Sequence, residues 1–326
     1  MFFKNKICQP AATSNAINET SSNDVLSKLY ENKEKLELEI NNSLYQERRS
    51  NSDLILVDVV DTYRNLTLKV LKGFTAAIRA RPTIKYILKI DDDNYYKIDK
   101  YYKLLEEVVE ESKSSSGSDP IESRGSTRGL TPLYYIGAMK HNTTVIRPET
   151  TNTKHNPKFE LKKWSENEYE NDIYPTFANG MNGYGLSGKL VEMLVDYHEN
   201  SNNSTNNLPL YHNEDTSIGI WLDILKSENI KNGVNQPIKY LDLSKNKKFG
   251  SFTDTCDLNF CINPNIVRLG HHCSAEIYQA CRKLVDFVER KGFKNIDEID
   301  LDDEGVALSL SEIVAGTIKD KWNRKF

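Results

Sequence analysis

The sequence is most sharply bounded by what it does not contain. No apolar stretch among its 326 residues approaches the ~20 residues needed to span a bilayer. Residues 1 to 24 are polar and rich in Asn, Ser and Thr, without the h-region of a signal peptide. No membrane-spanning helix is therefore expected within this chain. Surplus charge is also missing: 43 Lys+Arg against 47 Asp+Glu leave a net charge of −4. The basic residues from Lys69 to Lys89 are scattered and lack interleaved aromatics, so nucleic acid and anionic membrane surfaces are excluded as expected partners. No Gly-rich phosphate loop precedes a helix, which sets aside a phosphotransferase of the P-loop kind.

Histidine and cysteine are scarce, at six and five residues. Four cysteines fall late, Cys256, Cys261, Cys273 and Cys281, with four, eleven and seven residues between them. Structural zinc usually takes a C-x₂-C-like knuckle, so two disulfides are expected instead. Disulfides and the Asn-x-Ser/Thr sequons at Asn18, Asn41, Asn65, Asn142, Asn202 and Asn203 suit a secretory lumen.

With 38% apolar content the chain can bury a full α/β core, enough for one catalytic domain with appendages. The most informative run is Ile87-Leu88-Lys89-Ile90-Asp91-Asp92-Asp93, an apolar strand ending in three carboxylates. Adjacent acids repel one another, and only Lys89 and Lys97 lie near in sequence to neutralise them. A divalent cation would resolve the conflict. On an extended backbone Asp91 and Asp93 project to one face and present hard oxygen ligands to Mn²⁺ or Mg²⁺, while Asp92 points elsewhere.

Upstream, residues 53 to 60 form a nearly continuous β-branched run that reads as a buried strand. Asp61-Thr62-Tyr63 follows as a turn, with Asp61 or Thr62 as N-cap. Tyr63 to Ala80 places Leu66, Val70, Phe74, Ala77 and Ile78 on one helical face, leading back to a strand at 84 to 90. Strand, helix, strand implies a parallel pair. Residues 25 to 49 read as an earlier helix with Val25, Leu29, Leu36 and Ile40 on one face, and no strand is legible before it. Leu133 to Met139 reads as another buried strand. Ser112 to Gly129 and Glu199 to Asn207 read as surface loops, and Trp164 to Tyr174 as an acceptor-side segment.

Four blocks in order carry a resemblance: Asp53 to Lys69; Lys89-Ile-Asp-Asp-Asp93; Tyr174-Pro-Thr-Phe-Ala-Asn-Gly-Met-Asn-Gly-Tyr-Gly-Leu-Ser187; and Asn213-Glu-Asp-Thr-Ser-Ile-Gly-Ile-Trp-Leu222. Together they resemble the β-1,3-galactosyltransferase family (glycosyltransferase family 31), which includes β-1,3-N-acetylglucosaminyltransferases and fringe-like enzymes. The resemblance implies an α/β GT-A glycosyltransferase fold, a Rossmann-like, mostly parallel twisted sheet flanked by helices. It implies Mn²⁺-dependent (or Mg²⁺-dependent) transfer of galactose or N-acetylglucosamine from a UDP-sugar, with inversion, to a glycan or glycoprotein hydroxyl in β-1,3 linkage.

Residue by residue, the resemblance makes Asp93 the direct metal ligand, with Asp91 or Asp92 near the ribose and Asp91 a second metal candidate. His271, which fits the His-x-x-Ser spacing better than His272, would join them. Asp61 and Lys69 would approach the nucleotide or its phosphates, although a capping Asp and a surface helix Lys account for them more readily. Gly180 and Gly183 would let the backbone pass close to a sugar; the alternative is a tight turn feeding a helix from Gly188 to Tyr197. Asp215 would take the acceptor proton, with Glu214 as fallback, although both also suit a helix N-terminus. Ala178 stands where the family commonly has Cys.

Relatives carry an N-terminal signal-anchor and a first strand that helps bind uracil. Residues 1–24 show neither, so they are read as a disordered polar segment of an incomplete start. Residues 25–290 are then the GT-A domain and 291–326 a helical tail. A catalytically inactive member that binds glycans or proteins is the alternative, favoured by the missing strand. Location follows the family, Golgi membrane or lumen, with no anchor in this chain to decide it against the cytoplasm.

Overall fold

The computed structural model describes residues 2–6, 19–51, 53–114, 133–148, 164–200, 207–233, 236–246, 249 and 266–268, with 278, 279, 281–283, 285 and 290. His271, His272 and the tail 291–326 lie outside the described residues. The chain forms two compact units interleaved in sequence: residues 1–87, 141–177 and 187–232, and residues 88–140, 178–186 and 233–326.

In the first unit, β1 (Phe2–Lys6) pairs in parallel with β2 (Leu54–Val60), Phe2 opposite Leu54 and Lys4 opposite Leu56. This corrects the expectation that no strand precedes the first helix. Only Phe2 and Phe3 of its five residues are apolar, so no period-2 pattern was there to read. The strand is defined by its backbone pairing. Between them α1 (Glu19–Asn51) is longer than expected, and its Leu36 is 52% exposed despite sitting on the predicted apolar face.

After β2, a 3-10 turn (Tyr63–Asn65) leads into α2 (Leu66–Ala80). Thr62 is the N-cap of that turn, without a side-chain cap hydrogen bond. The buried stripe of α2 is Thr67, Leu71, Phe74 and Ala77, rotated from the predicted one so that Leu71 replaces Val70. Helix α2 packs on β2, on α4 (Gly188–Asn200) and on α5 (Glu214–Lys231). Helix α5 is buried over most of its first half, where Ile218, Ile220, Trp221 and Leu222 are enclosed, as is Leu225 a turn later. Trp221 donates its indole N–H to the Pro209 carbonyl at 2.7 Å. Gly219 on α5 faces Phe177, where a Cβ would come within 2.8 Å of the Phe177 Cβ. Around it Tyr169, Tyr174, Phe177, Ile220 and Val145 form a core cluster, with Tyr169 and Tyr174 stacked at 5.3 Å.

A four-stranded sheet, most of whose residues belong to the second unit, runs in the order β3 (Tyr86–Lys89), β7 (Tyr184–Ser187), β4 (Leu133–Gly137), β8 (Ile238–Asp242). Two-residue strands β5 (Met139–Lys140) and β6 (Phe177–Ala178) complete the set. Strand β4 is antiparallel to β7 and parallel to β8, so the sheet is mixed rather than mostly parallel. The expected parallel pair of β2 with β3 is also corrected: β2 neighbours β1, and β3 neighbours β7. Hydrophobic runs identify strands but not which strands lie side by side. All five residues of β4 are buried, as its central position requires. Helix α3 (Ile98–Ser114), not anticipated from the sequence, buries Tyr101, Leu104, Leu105 and Val109. Cys281 is disulfide-bonded.

Among the described residues no helix is long and apolar enough to cross a membrane.

Candidate active site

In the second unit the strand carrying the acidic triplet stops at Lys89, and the chain turns at once: the Asn94 amide donates to the Asp91 carbonyl at 3.1 Å. The extended alternation of Asp91 and Asp93 is thereby corrected. Three consecutive Asp residues are poor strand formers, whereas Asp and Asn suit turns. Asp91 and Asp93 are half-buried and Asp92 is exposed.

Cationic groups converge on this turn. Lys89 Nζ lies 2.6 Å from Asp91 Oδ1 and 5.9 Å from the centroid of the Tyr184 ring. Arg268, fully buried, donates from Nε and Nη2 to Asn94 Oδ1 at 3.1 and 2.9 Å, and from Nη2 to the Met181 carbonyl at 3.3 Å. Burial pulls the Arg268 pKa down, while Tyr96 and Asp93 beside it pull it back up. Tyr278 donates its hydroxyl to the Asp92 carbonyl at 2.6 Å; burial and the charges of Asp93 and Asp92 push its phenol up to about 12. The sequence reading missed Asn94, Arg268 and Tyr278. An Arg inside the apolar run Ile266-Val-Arg-Leu269 was the available signal, because such an Arg is buried only when paired.

The Gly-rich block lies against this turn. Asn179 caps a 3-10 turn (Gly180–Asn182) by accepting from the Met181 amide at 3.0 Å. Gly183 follows at φ +65°, where a Cβ would stand 2.9 Å from the Lys89 carbonyl and 2.9 Å from the Tyr96 hydroxyl. Tyr96 in turn donates to the Asn182 carbonyl. The protein's own packing thus gives Gly183 a reason to be glycine, separate from any sugar. Gly180 is buried in the same turn.

The remaining expected residues lie in the first unit. Glu214 and Asp215 open α5; Glu214 is 5% exposed, whereas Asp215 is half-buried and its Oδ1 accepts from the Thr216 amide at 2.8 Å. Asn213 occupies the N-cap position but makes no side-chain cap. Its amide group donates instead to the Trp164 carbonyl at 2.8 Å. Asp61 and Lys69 come together at 3.4 Å, near the margin of a hydrogen bond, with the Asp61 side chain 47% exposed. Trp164 is 41% exposed and is not a core residue.

The acidic turn and the Glu214–Asp215 pair therefore occupy different units. Among the described residues no three His, Cys, Asp or Glu side chains group to hold a metal, and His271 is outside that set. In donor chemistry, the carboxylates of Asp91 and Asp93 within one turn fit a hard divalent cation.

Residues 31–232 match the family model described as Galactosyltransferase, and the chain belongs to that family. It is 28% identical over 187 residues to UDP-GalNAc:beta-1,3-N-acetylgalactosaminyltransferase 2 of Mus musculus, covering 57% of this chain and 29% of the relative. It is 28% identical over 182 residues to beta-1,3-galactosyltransferase 5 of Gorilla gorilla gorilla, covering 55% of this chain and 48% of the relative. A hydroxyproline O-galactosyltransferase of Arabidopsis thaliana is 25% identical over 224 residues, 68% of this chain and 25% of the relative. The chain thus spans less than half the length of each of these relatives.

Proposed function

We propose that the protein is an inverting, UDP-sugar-dependent hexosyltransferase of GT-A type that forms a β-1,3 linkage to a glycan or glycoprotein hydroxyl. Membership of the family supports the reaction class. The observation that carries the reading is the acidic turn, Asp91 to Asp93, directly after β3; Asp215, half-buried at the start of α5, is the carboxylate proposed as base.

In this reading Asp93 and Asp91 hold Mn²⁺ or Mg²⁺, with His271 as a further ligand and Asp92 near the ribose. The bound ion supplies electrostatic stabilisation of the diphosphate leaving group. Lys69 and Asp61 approach the nucleotide, and Gly180 and Gly183 keep the donor wall close to the backbone. The acceptor oxygen attacks the anomeric carbon as the bond to UDP breaks, and its proton passes to Asp215. Asp215 is preferred to Glu214 because Glu214 is buried at the same helix start.

Galactose and N-acetylglucosamine are the donor sugars proposed from the motifs, and the relatives' names add N-acetylgalactosamine. Protein glycosylation in the Golgi is the setting proposed. The inactive-member alternative drew its support from a missing first strand, and β1 removes that support.

Titration of UDP into the purified chain, with and without Mn²⁺, tests the reading. Metal-dependent binding that is lost in Asp93→Ala is expected. Binding indifferent to both Mn²⁺ and the substitution would sink the donor-site assignment.

A further inference from the structure

Glu166 is a carboxylate that the proposed chemistry does not use, yet it is 3% exposed. Burying a charge is costly unless the group is fully engaged. Its two oxygens are engaged separately: Oε1 accepts from the Glu168 amide at 2.8 Å, and Oε2 accepts from the His212 amide at 2.7 Å. Both partners are N–H donors, so the position demands a group that only accepts, which a carboxylate is and a carboxamide is not.

The segment bearing Glu166 is itself held. Arg147 donates from Nη1 to the Glu166 and Tyr169 carbonyls at 3.1 and 2.6 Å, and from Nη2 to the Asn171 carbonyl at 2.9 Å. The Glu166 amide donates to the Ile146 carbonyl at 2.8 Å. Two ties then run from this loop to the residues immediately before α5: Glu166 to His212, and the Trp164 carbonyl to the Asn213 side chain at 2.8 Å. A third, from Thr67 Oγ1 to the Tyr211 carbonyl at 2.7 Å, comes from α2. Three consecutive residues, Tyr211, His212 and Asn213, are thus fixed just upstream of Glu214 and Asp215. Asn213 gives up its helix cap to make its tie.

We propose that Glu166 is a positioning residue for Asp215, fixing the entry into α5 so that the Asp215 carboxylate is presented in one orientation to the acceptor hydroxyl. The inference rests on the reading of Asp215 as the base. Misplacement of a catalytic group by an ångström costs about a hundredfold in rate, so the effect belongs in kcat rather than in donor binding.

The test uses Glu166→Gln in the full chain, with Asp215→Asn and the core variant Leu194→Val as companions. The readouts are kcat and KM for transfer from UDP-galactose and UDP-N-acetylglucosamine to a glycan acceptor, Mn²⁺–UDP affinity, and backbone hydrogen exchange. For Glu166→Gln, kcat should fall ten- to a hundredfold with donor KM and UDP affinity unchanged, and exchange should rise at His212 and Thr216. Leu194→Val should lose stability without that split. A fall in kcat for Glu166→Gln no larger than for Leu194→Val, or unchanged exchange at His212 and Thr216, overturns the positioning role. Transfer surviving in Asp215→Asn would instead overturn the base assignment, and the positioning role with it.

Discussion

Lys89 Nζ stands 2.6 Å from Asp91 Oδ1, so the last residue of β3 supplies the counter-charge for the acidic turn that follows it. The Lys89 side chain is only 11% exposed, which weakens solvent screening of the pair. Two unit charges near 4 Å interact by about 4 kcal/mol at an effective dielectric of about 20. A cation bound through Asp91 competes with that ammonium. Lys89→Gln should therefore bind Mn²⁺ several-fold more tightly than the parent when titrated without nucleotide. Weaker binding in the variant would mean that Lys89 shapes the turn more than it competes for it.

Asp215→Asn should keep Mn²⁺–UDP affinity and lose about 10²- to 10⁴-fold in kcat, the usual worth of a general base. The Thr216 amide accounts for one carboxylate oxygen at 2.8 Å, and an Asn side-chain oxygen can accept the same bond. The fold should therefore survive the change. Calorimetry on the variant together with steady-state transfer separates the two effects, and parallel loss of both would place Asp215 in binding.

Much of this arrangement was legible before the structure, and the failures have physical causes. The strand–helix order from Leu54 to Ala80 and the start of α5 were read because long apolar runs and clustered charge are local signals, whereas the acidic triplet, expected as extended backbone, is a turn. Strand β1 was missed because its Lys-Asn-Lys half carries no apolar pattern; α3 went unread although Tyr101, Leu105 and Val109 recur at four-residue spacing with acidic residues opposite, the ordinary mark of an amphipathic helix. Glu166 could not have been picked by pattern, whereas Arg268 stands out as a charge inside an apolar run without showing what it pairs with. Their meaning comes from partners far away in the chain, His212 for one and Asn94 for the other.

Lys97 provides a pH test. Burial, with Lys100 as a lesser cause, pushes its ammonium down from 10.5 to about 8. The unfolded chain thus binds more protons than the folded one between about pH 8 and 10.5, and this residue's contribution to stability rises with pH across that window. Below pH 8 the folded state carries the full penalty. Lys97→Met should be more stable than the parent at pH 7, by a margin that shrinks on the way to pH 10.5. Urea melts at several pH values measure it. A margin independent of pH would assign the effect to packing.

The glycines of the two units should differ in what they tolerate. At Gly188 a Cβ would fall 1.8 Å from the Ile84 carbonyl oxygen, while the Gly188 amide is already committed to the Lys85 carbonyl at 2.8 Å. Backbone meets backbone there, and neither side can yield without unseating the start of α4. At Gly183 the contacts are 2.9 Å, but φ is +65°, so a side chain adds conformational strain of about 1–3 kcal/mol to the clash with Lys89 and Tyr96. At Gly233, φ is +69° with nothing within 4 Å, so strain acts alone. Denaturant melts should therefore rank Gly188→Ala as the most destabilised, Gly183→Ala next and Gly233→Ala least. Gly183→Ala should also weaken Mn²⁺–UDP binding, because the strand end it would displace leads directly into Asp91. A Gly183→Ala protein with lowered stability but parental UDP affinity would separate the packing of this glycine from the donor site.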